Sequence, residues 1–146
     1  MPEREIDTGE FEALAADILK ADGTLRFRAR GDSMRPFIRN DDMIELEQAQ
    51  PGRLRFGDVV LCRLGNGRLV VHRITRLKDG AARVQGDARA MPDGWVPLAQ
   101  VLGRVTAVER GGRHFRLDSP WEAAAGGLWL ALAPLRRVWM RVFHRV

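Results

Sequence analysis

Lysine is nearly missing from this 146-residue chain: Lys20 and Lys78 are the only two. Any chemistry that needs a lysine base or a Schiff base is confined to those positions. Cysteine is rarer still. Cys62 stands alone, so no intrachain disulfide can form, and it lies in the apolar run Val59-Val60-Leu61-Cys62, where a small buried hydrophobe is the expected role. A reactive thiol needs an exposed, electropositive setting instead. The three histidines, His72, His114 and His144, are far apart, and no Cys/His cluster has metal-ligand spacing, so no metal and no cofactor is expected. Long apolar runs are missing as well. The longest uncharged stretch, Ala123 to Leu135, falls well short of the ~20 residues that a membrane span needs. The acidic, polar start, Met1 to Gly9, does not read as a secretory signal. Repeats and low-complexity segments are missing too. A cytoplasmic location follows as the expectation, with attachment at the inner face of the membrane as the variant considered below.

What remains is an ordinary globular composition. The hydrophobic share is 45% and the net charge +5, almost all of the basic excess being arginine. The length suits one domain with a real core. The charges are spread along the chain, so solubility accounts for them, and no nucleic-acid partner is expected.

The pattern along the chain is mainly β. Asp7-Thr8-Gly9-Glu10 reads as a helix start, and Phe11, Leu14, Ala15 and Ile18 recur at helical spacing as far as Asp22-Gly23. The period then drops to two: Leu25, Phe27 and Ala29 alternate with Arg26, Arg28 and Arg30, a half-buried strand with a basic outer face. Further strands are expected over Asp42 to Glu47, Gly57 to Leu64, Arg68 to Leu77, Ala82 to Gln85, Val96 to Glu109 with a kink at Gly103, and Arg113 to Leu117. Gly65-Asn66-Gly67 is a hairpin signal between two of them. Many short strands with regular turns imply a barrel or sandwich. The expected organisation is an N-terminal helix over 1–23, a β domain over 24–118 and an amphipathic C-terminal helix over 119–146. In that tail Leu128, Leu132, Leu135, Trp139, Val142 and Val146 share a face, with Arg136, Arg137, Arg141 and Arg145 filling much of the other side. The tail suits either a helix docked on the barrel or one lying on a membrane surface.

Two places carry chemistry. Ser33 sits on the Gly/Pro-punctuated turn Gly31-Asp32-Ser33-Met34-Arg35-Pro36, and His72 sits mid-strand in Val70-Val71-His72-Arg73-Ile74. A serine hydroxyl is a weak nucleophile unless a base takes its proton, and imidazole is the usual base. Each residue alone has a plainer reading. Small polar residues beside Gly and Pro are turn formers, a lone histidine in an alternating strand is more often core, and Asp87 and Asp93 alone are loop carboxylates.

Taken in order, Gly-Asp-Ser-Met-x-Pro, Asn40-Asp41-Asp42-Met43-Ile44, Gly57-Asp58-Val59-Val60, Val70-Val71-His72-Arg73-Ile74, Gly86-Asp87 and Val101-Leu102-Gly103-Arg104-Val105 resemble the signal peptidase I family. More distantly they resemble the self-cleaving SOS repressors. The likeness runs from Leu25 to Val108. Bacterial signal peptidases have a lysine base where this chain has His72, whereas the endoplasmic-reticulum and archaeal branch has histidine. The resemblance is therefore to the Ser/His branch. It implies a mainly β, signal-peptidase-like core and a serine endopeptidase that cuts signal- or leader-type peptides after small residues. It further implies Ser33 as nucleophile and His72 as general base, with the acidic partner at Asp93 or Asp87. Asp93 closes the loop at the matching offset, but Ala88-Arg89 stand where the family often has asparagines, which keeps both aspartates as candidates. The Ser33 backbone N–H is the expected oxyanion donor, with Gly31 and Met34 beside it in substrate binding. An extended peptide would add to a strand edge, for which the segments around Leu25 to Arg30 and Val84 offer candidates. The membrane anchor usual in that family is missing, so the tail helix at a membrane surface and a soluble leader peptide are both open. The alternative function is a non-enzymatic or self-cleaving regulatory protein with a repressor-C-terminal-like fold.

Overall fold

The computed structural model describes residues 8–117 and, beyond them, Ala125, Gly126, Leu128, Trp129 and Leu132. Helix α1 (Thr8–Asp22) leads into a sheet of eight strands. These are β1 (Thr24–Arg28), β2 (Met43–Gln48), β3 (Val59–Arg63), β4 (Leu69–Lys78), β5 (Ala81–Gln85), β6 (Gly94–Pro97), β7 (Val101–Arg110) and β8 (Arg113–Arg116). The strand order is β1-β2-β7-β3-β4-β5-β6, with β8 on β7, and every pairing is antiparallel. The mainly β expectation is met.

The period-two pattern explains why the chain takes this form. In β2 Ile44 and Leu46 point into the core while Met43, Glu45 and Glu47 are half-exposed. β3 departs from alternation because both of its faces are covered: Val59 and Leu61 join a core under α1 with Ala15, Leu19, Ile44 and Val105, and Val60 and Cys62 join a second core with Val70, Ile74, Val84 and Val96. The sheet thus has an apolar cluster on each side of its middle strand, and the functional residues gather where β4 runs between them.

Three expectations need correction. In α1 the deepest residues are Ala15 and Leu19, whereas Leu14 is half-exposed; the helix rolls so that the Phe11-Ala15-Leu19 stripe, not Leu14, meets the sheet. The single strand expected over Val96 to Glu109 is two, β6 and β7, separated by a 3₁₀ turn over Leu98–Gln100. Pro97 lacks the N–H that would extend a ladder, and it breaks the run there. Val84 does not lie at an edge, because β5 pairs with β4 on one side and β6 on the other. β1 is an edge strand, as expected. The amphipathic helix expected over 119–146 lies mostly outside the described residues; Ala125, Gly126, Leu128 and Trp129 are helical.

Candidate active site

Ser33 stands on the connection between β1 and β2, and local bonds hold that connection. Gly31, in the left-handed region at φ +93°, donates its N–H to Asn40 Oδ1 at 2.8 Å. At the base of the loop Ala29 N–H donates to the Asp42 carbonyl and Asp41 N–H to the Ala29 carbonyl. The buried Asp42 carboxylate accepts from Arg39 N–H at 2.8 Å and from two nitrogens of Arg110, at 2.9 and 2.7 Å. Met34, next to Ser33, is buried, and its sulfur accepts the Asp87 N–H at 3.4 Å. Met34 therefore anchors the turn by its side chain.

His72 is delivered by β4, in register with Val60 of β3. Its Nε2 is 3.1 Å from Ser33 Oγ, and its Nδ1 is hydrogen-bonded to Asp93 Oδ2. With Asp93 ionised, Nδ1 carries the proton and donates it to the carboxylate, which leaves Nε2 to accept from the serine hydroxyl. The His72 side chain is only 4% exposed, and that of Asp93 21%. Burial, the largest influence, pushes the imidazole below its ordinary value; the Asp93 charge and hydrogen bond push back without cancelling it, Arg89 lowers it further and Asp87 raises it. The neutral, proton-accepting ring is thus the favoured form at neutral pH.

The two candidate aspartates are separated by their surroundings. Asp93 is on the ring. Asp87 is fully buried and holds Arg73 in a two-pronged pair, Oδ1 to Nε and Oδ2 to Nη2, both 2.8 Å. Arg73, itself 1% exposed, also donates from Nη1 to the Gly57 carbonyl at 2.7 Å and lies over the Phe37 ring. This pair ties β4, beside the base, to the loop that carries Asp93. Gly126 packs on the Arg73 guanidinium so closely that an added Cβ would meet it at 2.1 Å, and Trp129 Nε1–H donates to the Asp87 carbonyl at 3.0 Å. Neither the Arg73–Asp87 pair nor the Trp129 bond is written in the local sequence, although an arginine inside an apolar strand is itself a signal that a buried acid is needed.

Gly86 closes the constellation. Ala88 N–H donates to the Ser33 carbonyl at 2.9 Å, and a Cβ on Gly86 would lie 2.6 Å from that same carbonyl oxygen and 3.1 Å from His72 Nε2. Backbone sits against backbone there, so nothing flexible can yield. Gly86→Ala is expected to displace the serine turn from the ring and to cut turnover by about 10²-fold or more, with a stability loss of about 1–3 kcal/mol. Cleavage kinetics beside a thermal melt would check this; an active, equally stable Gly86→Ala protein would contradict the contact.

Cys62 does not compete for the nucleophile's role. Burial, and secondarily the Asp93 charge, pushes its thiol up to about 12, so it remains a protonated core side chain. Among the described residues no His/Cys/Asp/Glu group is arranged to hold a metal ion, and no helix is long and apolar enough to cross a membrane.

A hydroxyl, an imidazole and a carboxylate in hydrogen-bonded series are the arrangement that serine peptidases use, here on an antiparallel sheet. A family model described as peptidase S24-like matches residues 2–106, and the chain belongs to that family. No curated protein matches the chain. The matching family is not signal peptidase I itself; it stands with the self-cleaving repressors, the more distant of the two likenesses drawn from the motifs. The family places the chain among peptidases and self-cleaving, repressor-like proteins.

Proposed function

We propose that this chain is a serine endopeptidase of the Ser/His type, cutting signal- or leader-type peptides after small residues. Ser33 Oγ attacks the scissile carbonyl, forming the acyl bond as the C–N bond breaks. His72 Nε2 takes the hydroxyl proton and returns it to the leaving amine; water then hydrolyses the ester by the same relay. Asp93 holds the ring in the Nδ1–H tautomer and stabilises the imidazolium. The Ser33 N–H serves the oxyanion. The single observation that carries this reading is the 3.1 Å approach of His72 Nε2 to Ser33 Oγ, with Asp93 behind the ring. The peptide would lie along the edge of β1 away from β2, in the cleft of about 420 Å³ that runs from Phe27 and Leu69 to Ser33 and His72.

Peptides with alanine or glycine before the cut test the reading directly: cleavage by the purified protein is expected, and complete resistance of a set that varies every neighbouring position would overturn it. The acid limb of kcat/KM is a second readout. Since His72 titrates below the ordinary histidine value of ~6.5, the neutral base persists to lower pH, and activity should fall only below that region. Asp93→Asn removes an anion that stabilises the imidazolium, so the residual limb should move lower still.

Self-cleavage is the second reading, and the family match favours keeping it. Of the small-residue stretch Ala123-Ala124-Ala125-Gly126, the glycine lies away from the His72 face of β4. Gly126 is buried against Arg73, which leaves β4 on the face opposite to His72. Incubation of the full chain at increasing concentration, followed by intact mass, separates the two readings: a truncation whose rate is independent of concentration supports self-cleavage.

A further inference from the structure

The cleft beside Ser33 has a one-sided charge. Its walls include Phe27, Leu69 and Val71, and its charged lining consists of Arg28, Arg30 and Arg68 with His72 at the end; among the described residues no aspartate or glutamate lines it. Arginines elsewhere on the same sheet meet carboxylates: Arg26 meets Glu109, Arg63 meets Glu12, Arg104 meets Glu47 and Arg110 meets Asp42. Of the cleft's three arginines, Arg30 is paired at 3.0 Å with Asp41, which is not part of the lining. Arg28 and Arg68 are exposed, and among the described residues no carboxylate pairs with either guanidinium. They come from the two sides of the cleft, Arg28 from the end of β1 and Arg68 from just before β4. Among the described residues β1 pairs only with β2, and Leu69–His72 of β4 pair only with β3, since β5 joins from Arg73 onward.

We propose that the cleft selects peptides bearing an aspartate or glutamate side chain a short distance from the scissile bond, held between the Arg28 and Arg68 guanidiniums. This rests on the endopeptidase reading above and adds the substrate's charge. The spacing follows from strand geometry. Arg28 precedes the Gly31 break by three residues, or ~10 Å at the strand rise, so the carboxylate belongs about three residues from the bond cut. The physical reason is the missing countercharge. Two cations beside apolar walls, with no internal acid, repel each other and a basic peptide, and a carboxylate between them relieves both terms. Guanidinium groups also present paired donors that match a carboxylate's two oxygens.

The test uses the full chain with Ser33→Ala, so that binding is read without turnover. Fluorescently labelled ten-residue peptides with alanine before the cut would differ only in carrying Glu, Ala or Lys two to five residues away. The glutamate peptide is expected to bind about tenfold more tightly than the alanine one, and the lysine peptide more weakly than either, with the spread shrinking as salt rises. Adding Arg28→Glu and Arg68→Glu should reverse the order in favour of lysine. These side chains are exposed, and a melt at the parent temperature establishes that the variant is folded. Equal binding of the three peptides, or an order that survives the charge reversal, overturns the proposal. Vesicles of anionic phospholipid form the competing arm: vesicle binding that depends on the same two arginines, alongside indifferent peptides, assigns the patch to lipid and also overturns it. Turnover by the protein with Ser33 intact separates the layers. Acidic-peptide binding without cleavage removes the endopeptidase reading and leaves the charge selection standing; cleavage without charge preference does the opposite.

Discussion

Ser33→Ala and His72→Ala are each expected to reduce peptide cleavage by roughly 10⁴- to 10⁶-fold while leaving the fold intact. The expected size follows from how the two groups act. Without the hydroxyl no acyl bond forms; without the imidazole the hydroxyl keeps its proton at neutral pH. Because they act as one relay, the double variant should be little worse than either single one. Structurally the serine change is mild. Ser33 is half-exposed, and its hydroxyl is hydrogen-bonded to His72. His72 is buried, so its removal leaves a small cavity and calls for a melt beside the assay. A fluorophosphonate probe that labels serine nucleophiles gives a second measurement independent of the substrate, with labelling of the parent chain and none of either variant. Equal labelling or equal turnover after either change would remove this pair from the chemistry.

Asp87→Ala and Asp93→Asn should fail in opposite ways. Asp87 and Arg73 are 0% and 1% exposed and joined by two hydrogen bonds. Removing the carboxylate leaves the buried guanidinium without its two-pronged acid, held by the Gly57 carbonyl and the Phe37 ring, a loss of about 3–5 kcal/mol. Against a typical total of about 5–15 kcal/mol, that is enough to bring unfolding close to assay temperature. Asp93 lies at the rim. Its amide replacement preserves shape, leaves stability nearly unchanged and costs about 10⁴-fold in turnover, because the ring loses the partner that fixes its tautomer. Replacing the buried pair together by Arg73→Met with Asp87→Leu should recover most of the stability, since no lone charge is then left inside. Thermal melts of the four proteins beside their turnover decide the matter. A stable, inactive Asp87→Ala with an active Asp93→Asn would exchange the two assignments.

These contrasts also mark how far the chain could be read before it was folded. The strands were legible because alternation is local: Leu25, Phe27 and Ala29 against Arg26, Arg28 and Arg30 announce β1 without any knowledge of its neighbours. The Gly/Pro turn around Ser33 and the hairpin at Gly65-Asn66-Gly67 were legible for the same reason, as each depends on a few adjacent residues. Leu14 was misjudged because helical spacing gives a stripe but not the angle at which it docks, and the 3₁₀ turn inside the expected long strand was missed because its apolar residues suit either form. Asp87 and Asp93 could not be told apart from order and offset alone. Both stand in one loop, six positions apart, and only the path of that loop turns one toward Arg73 and the other toward His72.

By itself the sequence determined the inventory: a mainly β chain with a serine on a tight turn, a histidine within a strand, two loop aspartates, too little lysine for a lysine base at the matching position, and a basic stripe on the first strand. Tertiary structure decided which of these meet. Packing brings the Ser33 turn to β4, seats Gly86 of the second loop against the Ser33 carbonyl and the His72 ring, and leaves Arg28 and Arg68 in a cleft that no acid lines among the described residues. The reason is range. Propensity and periodicity act over a turn or two of chain, whereas a proton relay needs atoms a few ångströms apart whose residues stand dozens of positions away, and only packing can impose that.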